Sequence, residues 1–476
     1  KPEASTTRRT KPAKYQRIGE AFEDRRRRTM DPALGYAPSD RLLNVFSLAK
    51  RKQEAMRLDA SKNNNDIANA RWRERGPNNI GGRTRSLLID ANDPDGKRVW
   101  AGSVSGGLWR CNDITTEVPV WTPVNDYFPN LAVMDIVQHP TNPSLMYFCT
   151  GEWTDVRGIG VFRSTDGGNS WEHLPGTVGF QYSYKMLVHP NGDVYNTTSR
   201  GVWRSQDGGN NWTRIIGNGV SGVNAGVFYD IKLATDGQIY VSSNNTIYKS
   251  PSGNTGTWNS ITNTSGAPPS SSQRLEFDVS DSNPQVIFAV NNIGGDVEGI
   301  YKTTNGGTSW TSVSLPNAFG MDNFARGQAW YDLDIAIHPE DHNRVIVGGI
   351  DPHISTNGGF GWTQIGQWFG GGGVQYVHAD QHRIIFDTKN TNVAYFTNDG
   401  GVWRTQNVKA PGAQIAIIDR NNSYNVTQFY AGAIHPEIAK SYYIGGTQDN
   451  GSLALSDIGI STAREVLGGD GFFCHI

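Results

Sequence analysis

The alternation of hydrophobic and polar positions divides the chain into two regions. Apolar side chains recur at helical spacing over residues 40–58, and Ser39 or Asp40 stands where the cap of a helix is expected. Farther along, short runs rich in β-branched and aromatic residues alternate with clusters of Gly, Asn and Asp. Many short strands at even spacing are typical of an all-β domain. We therefore predict an N-terminal arm with one amphipathic helix over residues 1–70 and an all-β domain over residues 71–476.

An eight-residue box recurs along the predicted all-β domain. It starts with Ser or Thr, continues with Asp or Asn and a pair of glycines, and ends with Trp; the first clear copy spans residues 164–171. Copies recur at intervals of about 40 to 55 residues, the length of one four-stranded propeller blade. Together with looser copies, this spacing predicts a β-propeller with about eight blade units. Representative residues of the clear copies are Ser164, Asp166, Gly168, Trp171, Ser205, Asp207, Gly209, Trp212, Asn305, Trp310, Asn357 and Trp362.

Each residue type of the box has a structural role in this interpretation. The Asp or Asn side chain caps a tight turn by accepting hydrogen bonds from nearby backbone N–H groups. The paired glycines supply positive φ angles, which strain other residues. The Trp packs between neighbouring blades, where burial of its ring stabilises the fold. We therefore predict that the box residues maintain the fold and contact no ligand.

Charge is distributed unevenly, although the chain as a whole has a formal net charge of −2. Residues 1–75 contain 19 Lys and Arg against 10 Asp and Glu, so a basic arm precedes an acidic domain. The four arginines at residues 25–28 are compatible with nucleic acid or a membrane surface. No aromatic residues are interleaved with them, so we expect a solvated or self-docking arm and no nucleic-acid partner. A polar linker is expected at residues 61–66.

Composition bears on membrane spans, disulfides and metal sites. No run of about 18 apolar residues is present, so no transmembrane segment is expected. The chain has three cysteines without a CxxC pair, which implies neither a disulfide framework nor a zinc site. Asp-Gly and Asn-Gly runs could ligate calcium, but no EF-hand spacing is present and turn capping explains the same residues. We expect no cofactor, with calcium as the alternative.

The box resembles the Asp-box, or bacterial neuraminidase repeat, of sialidases, xyloglucan-degrading endoglucanases and sortilin-type propellers. The stretches 76–85 and 101–109 resemble large secreted proteins of the sortilin/xyloglucanase-like group, many of which are exported by the type IX secretion system. Residues 377–382, 398–403 and 446–451 fit the same group.

The resemblance covers about residues 70–476. Residues 469–473 look like the entry to a ninth unit, and a propeller must close. We therefore expect either a propeller incomplete at the C-terminus, part of a seven-plus-seven tandem or a ten-bladed ring in the full protein, or last elements that close the ring irregularly. The resemblance also implies a secreted or outer cell-surface protein. The partners would be a polysaccharide, a surface protein or secretion machinery.

The resemblance does not carry the enzymatic residues of these families onto this chain. Sialidases grip a carboxylate with three arginines; Arg83, Arg274 and Arg326 are present, but no Arg-Ile-Pro motif precedes the first box. The xyloglucanases carry an Asp in a pattern like Arg-Thr-Asp-Ile-Gly-Gly. Val104 stands at that position here, and valine cannot transfer a proton.

Other carboxylates remain as catalytic candidates. A glycoside hydrolase needs two of them flanking the scissile bond. Each candidate lies near a short strand and a glycine, where a propeller can present side chains to its central channel. The alternative for each is a turn cap, which we favour. The candidates are Glu152, Asp351, Asp380, Asp399 and Asp449.

The run His378-Ala379-Asp380-Gln381-His382 is the densest group of candidate polar residues. If it is a strand, His378, Asp380 and His382 share one face, which would suit a transition metal or proton transfer. A structural hydrogen-bond network is the favoured alternative. We take His378, His382 and Arg83 as candidate binding residues and assign no metal ligand.

Three functions stay open from the sequence. The preferred one is a secreted or surface propeller that binds a glycan or protein. The second is a glycoside hydrolase with non-standard carboxylates, which requires two carboxylates about 5–10 Å apart in an open cleft. The third is a structural component of a surface or secretion-associated assembly. A binding module would instead present an exposed aromatic or polar patch without that pair.

Overall fold

The computed structural model describes residue 23 and residues 26–58, 74–154, 156–317, 323–371, 373–437 and 440–476. Within these ranges helix α1 spans Arg41–Leu58, and 32 strands form eight antiparallel sheets of four consecutive strands each. Every sheet is a meander, as short strands joined by tight Gly-, Asn- and Asp-rich turns require. The prediction of an all-β propeller with about eight blade units is confirmed.

The strands follow one another in chain order. Sheet 1 contains β1 (Thr84–Ile89), β2 (Val99–Ser103), β3 (Gly107–Cys111) and β4 (Trp121–Pro123). Sheet 2 contains β5 (Val133–Gln138), β6 (Met146–Thr150), β7 (Val161–Ser164) and β8 (Glu172–His173). Sheet 3 contains β9 (Ser183–Val188), β10 (Val194–Thr198), β11 (Gly201–Ser205) and β12 (Thr213–Ile216). Sheet 4 contains β13 (Phe228–Leu233), β14 (Ile239–Ser243), β15 (Ile247–Ser250) and β16 (Asn259–Ser260).

The second half has the same plan. Sheet 5 contains β17 (Arg274–Val279), β18 (Ile287–Ile293), β19 (Asp296–Thr303) and β20 (Thr311–Val313). Sheet 6 contains β21 (Asp334–His338), β22 (Asp341–Gly348), β23 (Pro352–Ser355) and β24 (Thr363–Gln364). Sheet 7 contains β25 (Arg383–Phe386), β26 (Ala394–Asn398), β27 (Gly401–Thr405) and β28 (Ile417–Asp419). Sheet 8 contains β29 (Phe429–Ile434), β30 (Tyr443–Thr447), β31 (Ser452–Leu455) and β32 (Arg464–Leu467).

Seven of the eight sheets close into a ring. The first strands of sheets 1 to 7 contact one another in succession, and β25 and β26 of sheet 7 return to contact β1. The second strands β2, β10, β14 and β26 are buried along their whole length. Such burial is expected of strands covered on both faces by neighbouring sheets. The first strands therefore surround a central channel, and sheet 8 lies outside the ring.

Side-chain packing, without a shared sheet, closes the ring. Tyr424 follows β28 and is fully buried between sheets 1 and 7. Its ring lies 5.7 Å from the ring of Trp109 and 4.8 Å from that of Trp121. The Trp121 indole N–H also donates to the Arg420 carbonyl oxygen, 2.7 Å away. No strand of sheet 7 pairs with a strand of sheet 1 in the described chain, so the closing contact depends on these side chains.

The box turns are capped by their own side chains. Ser164 Oγ accepts a hydrogen bond from the Gly168 N–H at 2.8 Å, and Asp166 Oδ1 accepts from the Ser170 N–H at 2.9 Å. The turn from Ser205 repeats both bonds at the same positions. The fold thus uses these polar side chains to satisfy backbone groups of the turn between the third and fourth strands.

The box also holds consecutive sheets together. A Cβ added to Gly168, whose φ is +84°, would lie 2.4 Å from the Trp100 ring of the preceding sheet. The indole N–H groups of Trp310 and Trp362 donate to the carbonyl oxygens of Ile261 and Ser314, which belong to the preceding sheets. Close backbone approach and indole packing therefore act at the same boundary between sheets.

Sheet 8 has a much smaller core than the ring sheets. Leu453, Leu455 and Ala463 form its buried cluster. Strand β32 is exposed along its length, and Ile434 on β29 is 80% exposed. Sheet 8 is held to the segment that precedes β1, because Asn79 exchanges hydrogen bonds with the backbone of Ala463.

The predicted helix of the arm is present as α1, but most of its apolar side chains are not buried. Val45 and Leu48 are each 53% exposed, and Leu43 packs partly against the core between sheets 1 and 2. Arg25 and the predicted linker at residues 61–66 lie outside the described residues. Among the described helices, none is both long and apolar enough to cross a membrane.

Candidate functional site

A belt of polar side chains lines the channel at one level. It is formed by one residue from the first strand of each ring sheet, and most of its members are ionisable. The Arg383 guanidinium on sheet 7 interacts electrostatically with Asp135 on sheet 2 and Asp230 on sheet 4. Charges from such distant sheets can act on one another only if they meet in the centre. The belt consists of Ser86, Asp135, Lys185, Asp230, Glu276, Asp334 and Arg383.

Several channel carboxylates tie neighbouring sheets together. Asp135 Oδ2 accepts a hydrogen bond from the Met186 N–H of the next sheet at 2.7 Å. Asp334 Oδ2 accepts from the Ile384 N–H at 2.6 Å in the same way. Sequence reasoning missed the belt, although one signal was available: a charged residue interrupts the apolar run at the same position in successive first strands.

The channel mouth holds a chain of hydrogen bonds between sheets 1, 2 and 7. Arg85 on β1 forms a 2.6 Å ion pair with Glu152, which lies in the turn after β6. The same guanidinium donates to His382 Nδ1 at 2.8 Å. On its other side, His382 Nε2 lies 2.6 Å from Asp399 Oδ1, and the Tyr331 hydroxyl donates to Asp399 Oδ2 at 2.9 Å. Two carboxylates predicted from the sequence, Glu152 and Asp399, therefore meet here.

The partners of His382 define its protonation. Arginine only donates hydrogen bonds, so His382 Nδ1 must accept and is unprotonated. Nε2 therefore carries the proton and donates to Asp399. Burial, reinforced by the charge of Arg85, lowers the pKa of His382 to about 3. Despite its burial, Asp399 has a lowered pKa because of His382 and the nearby arginines. At neutral pH the mouth holds a neutral imidazole and an ionised Asp399.

Two further carboxyl groups at the mouth favour the protonated form. Burial, together with the charge of Asp399, raises the pKa of Asp380 to about 8. Burial and the neighbouring Asp380 carboxyl also raise the pKa of Asp332. The Asp380 carboxyl is a hydrogen-bonding neighbour of Asp332. Like carboxylates close together cannot both ionise readily, which keeps a proton on this pair.

The remaining carboxylate candidates are dispersed. Asp351 is fully buried and paired with Arg326, and its Oδ1 accepts from the Trp368 N–H at 3.0 Å. Asp449 lies in the turn before β31 of sheet 8, and its N–H donates to Asp470 Oδ1 at 3.1 Å. Burial and the charges of Asp399 and Asp470 raise the pKa of Asp449.

The residues predicted to bind do not share one surface. Residues 378–382 are not a strand, and Asp380 has a φ of +67°, so the condition for placing His378, Asp380 and His382 on one face is not met. His378 Nε2 faces sheet 8, 3.1 Å from the Asp449 carbonyl oxygen. Arg83 donates to Gln428 Oε1 from two nitrogens, at 2.6 and 3.1 Å. Within the described ranges, no group of three or more His, Cys, Asp or Glu is arranged to hold a metal ion.

A small cavity that opens to solvent lies at the channel mouth. Its polar lining comes from the mouth network and the belt, and its aromatic lining from Trp153, Tyr184, Tyr229 and Tyr331. Trp330, whose ring lies 5.7 Å from that of Trp153, extends the aromatic surface outward. Trp153 is 38% exposed and Trp330 is 42% exposed. Sequence reasoning did not select either residue, because neither belongs to a repeated motif.

Comparisons with known proteins identify the fold. No protein-family model matches the chain, and no curated protein matches its sequence. The GH74 enzyme of Niastella koreensis matches with a TM-score of 0.59 and 19% identity, over 82% of this chain and 61% of its own. The GH74 xyloglucanase of Xanthomonas campestris matches with a TM-score of 0.57 and 15% identity, over 80% of this chain and 60% of its own.

A third match is the extracellular domain of BT4673 from B. thetaiotaomicron, with a TM-score of 0.50 and 15% identity. It covers 81% of this chain and 46% of that domain. The chain thus spans about 60% of the length of the two GH74 structures and less than half of the third. At such low identity the likeness concerns architecture, and the chain is structurally similar to β-propellers.

Proposed function

We propose that this protein is a secreted or cell-surface propeller that binds a glycan at the mouth of its channel. The observation that carries the proposal is the pair of partly exposed indoles, Trp153 and Trp330, beside a cavity with a charged interior. Ligand sites commonly combine aromatic walls with a few placed polar groups. Indole rings offer apolar faces to the C–H surface of a sugar and polar edges to its hydroxyls.

The engagement of the carboxylates favours binding over hydrolysis. Glu152 is paired with Arg85, Asp351 with Arg326, and Asp399 with His382 and Tyr331. A general base or nucleophile needs a free oxygen facing the substrate. These three candidates use their oxygens within the protein, as structural ion pairs and hydrogen bonds do.

Alanine substitution of the indoles tests the proposal. We expect Trp153→Ala and Trp330→Ala each to weaken glycan binding at least about tenfold, because removing a stacking ring costs on the order of 1–3 kcal/mol. Calorimetry against a panel of soluble oligosaccharides measures the effect. Phe360→Ala is the matched control, since this ring is 67% exposed but lies in a box turn at the opposite end of the sheets. Equal affinities in all three variants would contradict the proposed site.

A glycoside hydrolase is the second candidate function, and one observation favours it. Asp399 has a lowered pKa while Asp449 and Asp380 have raised ones. Groups with pKa values displaced in opposite directions are typical of acid–base pairs. Product release from the same oligosaccharides, lost in Asp399→Asn and in Asp449→Asn, would support hydrolysis. No product from any of them would leave binding as the function.

The proposed location follows the same line. BT4673 contributes an extracellular domain to the comparison. Together with the sequence resemblance to exported propellers, this supports a secreted or outer cell-surface protein. Partners from the secretion machinery or a surface assembly remain predictions. Immunoblotting of cell-surface, periplasmic and medium fractions would test the location.

A further inference from the structure

Lys185 is a buried cation without an anionic partner. It belongs to the channel belt, is 9% exposed and lines the cavity at the mouth. Among the described residues, no carboxylate oxygen lies within salt-bridge distance of its ammonium group, and no hydrogen bond from that group is formed. The other lysine of the channel, Lys232, lies 3.4 Å from Asp230 and 3.5 Å from Asp278. Burial of an unpaired charge is unfavourable, and Lys185 therefore needs an explanation.

Electrostatics distinguish the two lysines in the same way. Burial lowers the pKa of Lys185, and the charge of Arg383 adds to this effect. Asp334, Asp135 and Asp230 act in the opposite direction without overcoming it. The carboxylates close to Lys232 raise its pKa instead. Among the described residues, the carboxylates that act on Lys185 thus lie beyond ion-pair distance, whereas those of Lys232 lie at 3.4 and 3.5 Å.

Among the residues that line the cavity beside Lys185, basic side chains outnumber acidic ones. Its lining contains Arg85, Lys185 and Arg274, against Glu276 as the acidic lining residue. Glu276 pairs with Arg274 at 2.8 Å, and burial raises its pKa to about 7, which reduces its negative charge at neutral pH. Arg85 is neutralised by Glu152, so Lys185 is the cation that remains for a ligand.

We propose that Lys185 binds the carboxylate of an acidic sugar, a uronic acid unit of a glycan seated against Trp153 and Trp330. This inference rests on the proposed glycan-binding function and specifies its ligand class. A ligand carboxylate would supply the missing counter-charge inside a cavity of low dielectric, where a charge-assisted hydrogen bond is strong. The aromatic rim would hold the sugar ring while the ammonium selects the acid.

The experiment compares acidic glycans with neutral copies of themselves. Oligogalacturonate, oligoglucuronate and alginate oligomers are each titrated by calorimetry beside their carboxyl-reduced counterparts. We expect at least one acidic oligomer to bind about tenfold more tightly than its reduced form, consistent with one added charge-assisted contact. Lys185→Met is expected to abolish this difference between the acidic and the reduced form.

Folding of the variant is checked independently. Replacing an unpaired buried ammonium with an apolar side chain of similar length should leave the thermal midpoint unchanged or raise it. Lys185→Gln, which keeps polarity but not charge, should behave as Lys185→Met does. Lys389→Met, at an exposed turn after β25, is the control for a general loss of positive charge and should retain the preference for the acid.

The outcomes separate this inference from the proposed function. Equal binding of acidic and reduced oligomers would overturn the role of Lys185 and leave glycan binding standing. Absence of binding to every oligomer would contradict both. A sulfated oligosaccharide without uronic acid is the last probe, and tight binding of this probe alone would overturn the assignment of a carboxylate.

Discussion

At the scale of single residues, ion pairs and hydrogen bonds fix the positions of the polar side chains at the mouth of the channel. The turns after the second strands of sheets 2 and 7 carry Glu152 and Asp399, and both carboxylates could be selected from the sequence as acids beside short strands and glycines. Of their partners, His382 could also be selected, as a candidate binding residue, but Arg85 could not, because it lies within the first strand of sheet 1 and belongs to no polar cluster in the sequence. The hydrogen bond between Arg85 and His382 depends on closure of the ring, which no local pattern encodes.

His382 makes the fold sensitive to acid. Its pKa is about 3 in the native protein, whereas a histidine in an unfolded chain titrates near pH 6.5. As the pH falls from about 6.5 towards 3, the unfolded state takes up a proton that the native state does not bind, so native stability declines. Between pH 7 and pH 5 this contribution amounts to about 2 kcal/mol.

The variant His382→Gln removes that contribution. Glutamine can accept from Arg85 and donate to Asp399 but does not titrate. We expect the stability difference between wild type and variant, measured by urea unfolding, to shift by about 2 kcal/mol in the variant's favour from pH 7 to pH 5. Glu276 and Asp380 titrate in both proteins and therefore cancel. Parallel pH profiles for the two proteins would refute this assignment.

At the scale of elements, the repeated box explains how one sheet is fitted to the next. Its spacing, turn chemistry and Trp positions could be read from the sequence because each involves neighbours within eight residues. The irregular segment at residues 378–382 could not, because alternation of polar residues also suits a strand. The exposure of α1 could not be predicted either, because helical spacing of apolar residues predicts an apolar face but not which part of the protein covers it.

Gly168 tests the contact between sheets 1 and 2. In Gly168→Ala, a Cβ at positive φ would also lie 2.4 Å from the Trp100 ring. We expect a loss of about 2–4 kcal/mol of unfolding free energy, combining backbone strain with overpacking. Gly237→Ala is the matched control, because its φ is +82° but no atom lies within 4 Å of the added Cβ. It should lose only about 1–2 kcal/mol from backbone strain. Equal losses of unfolding free energy in the two variants would contradict a contribution from the contact between sheets 1 and 2.

At the scale of the whole molecule, the number of repeats does not determine how many sheets close into the ring. Eight units could be counted from the sequence, and eight sheets are present. Which of them form one ring is decided by contact between sheets 1 and 7, about 300 residues apart in the chain. The count left the size of the ring open because repeat spacing is the same inside and outside it.

Tyr424 is the residue whose loss should show that closure most clearly. Its hydroxyl lies 3.1 Å from Thr84 Oγ1, and its ring is packed between Trp109 and Trp121. We expect Tyr424→Ala to cost about 3–5 kcal/mol of unfolding free energy, as for other large buried aromatics. Hydrogen exchange should rise first in β1 and β25. Tyr127→Ala, at a side chain that is 76% exposed, should change stability by less than about 0.5 kcal/mol. Unchanged exchange in β1 and β25 would contradict this view of closure.

The way the ring is closed has a mechanical consequence. Within each blade, separating two strands breaks a ladder of backbone hydrogen bonds. Between sheets 1 and 7 there is no ladder, and only side-chain packing and isolated hydrogen bonds, such as that from the Ser423 N–H to the Asn78 carbonyl oxygen, need to part. A force that pulls residues 76–83 away from residues 420–427 would therefore load this seam before any blade unravels. We expect the ring to open at this one boundary while its seven sheets stay folded. The ring should close again when the load is released.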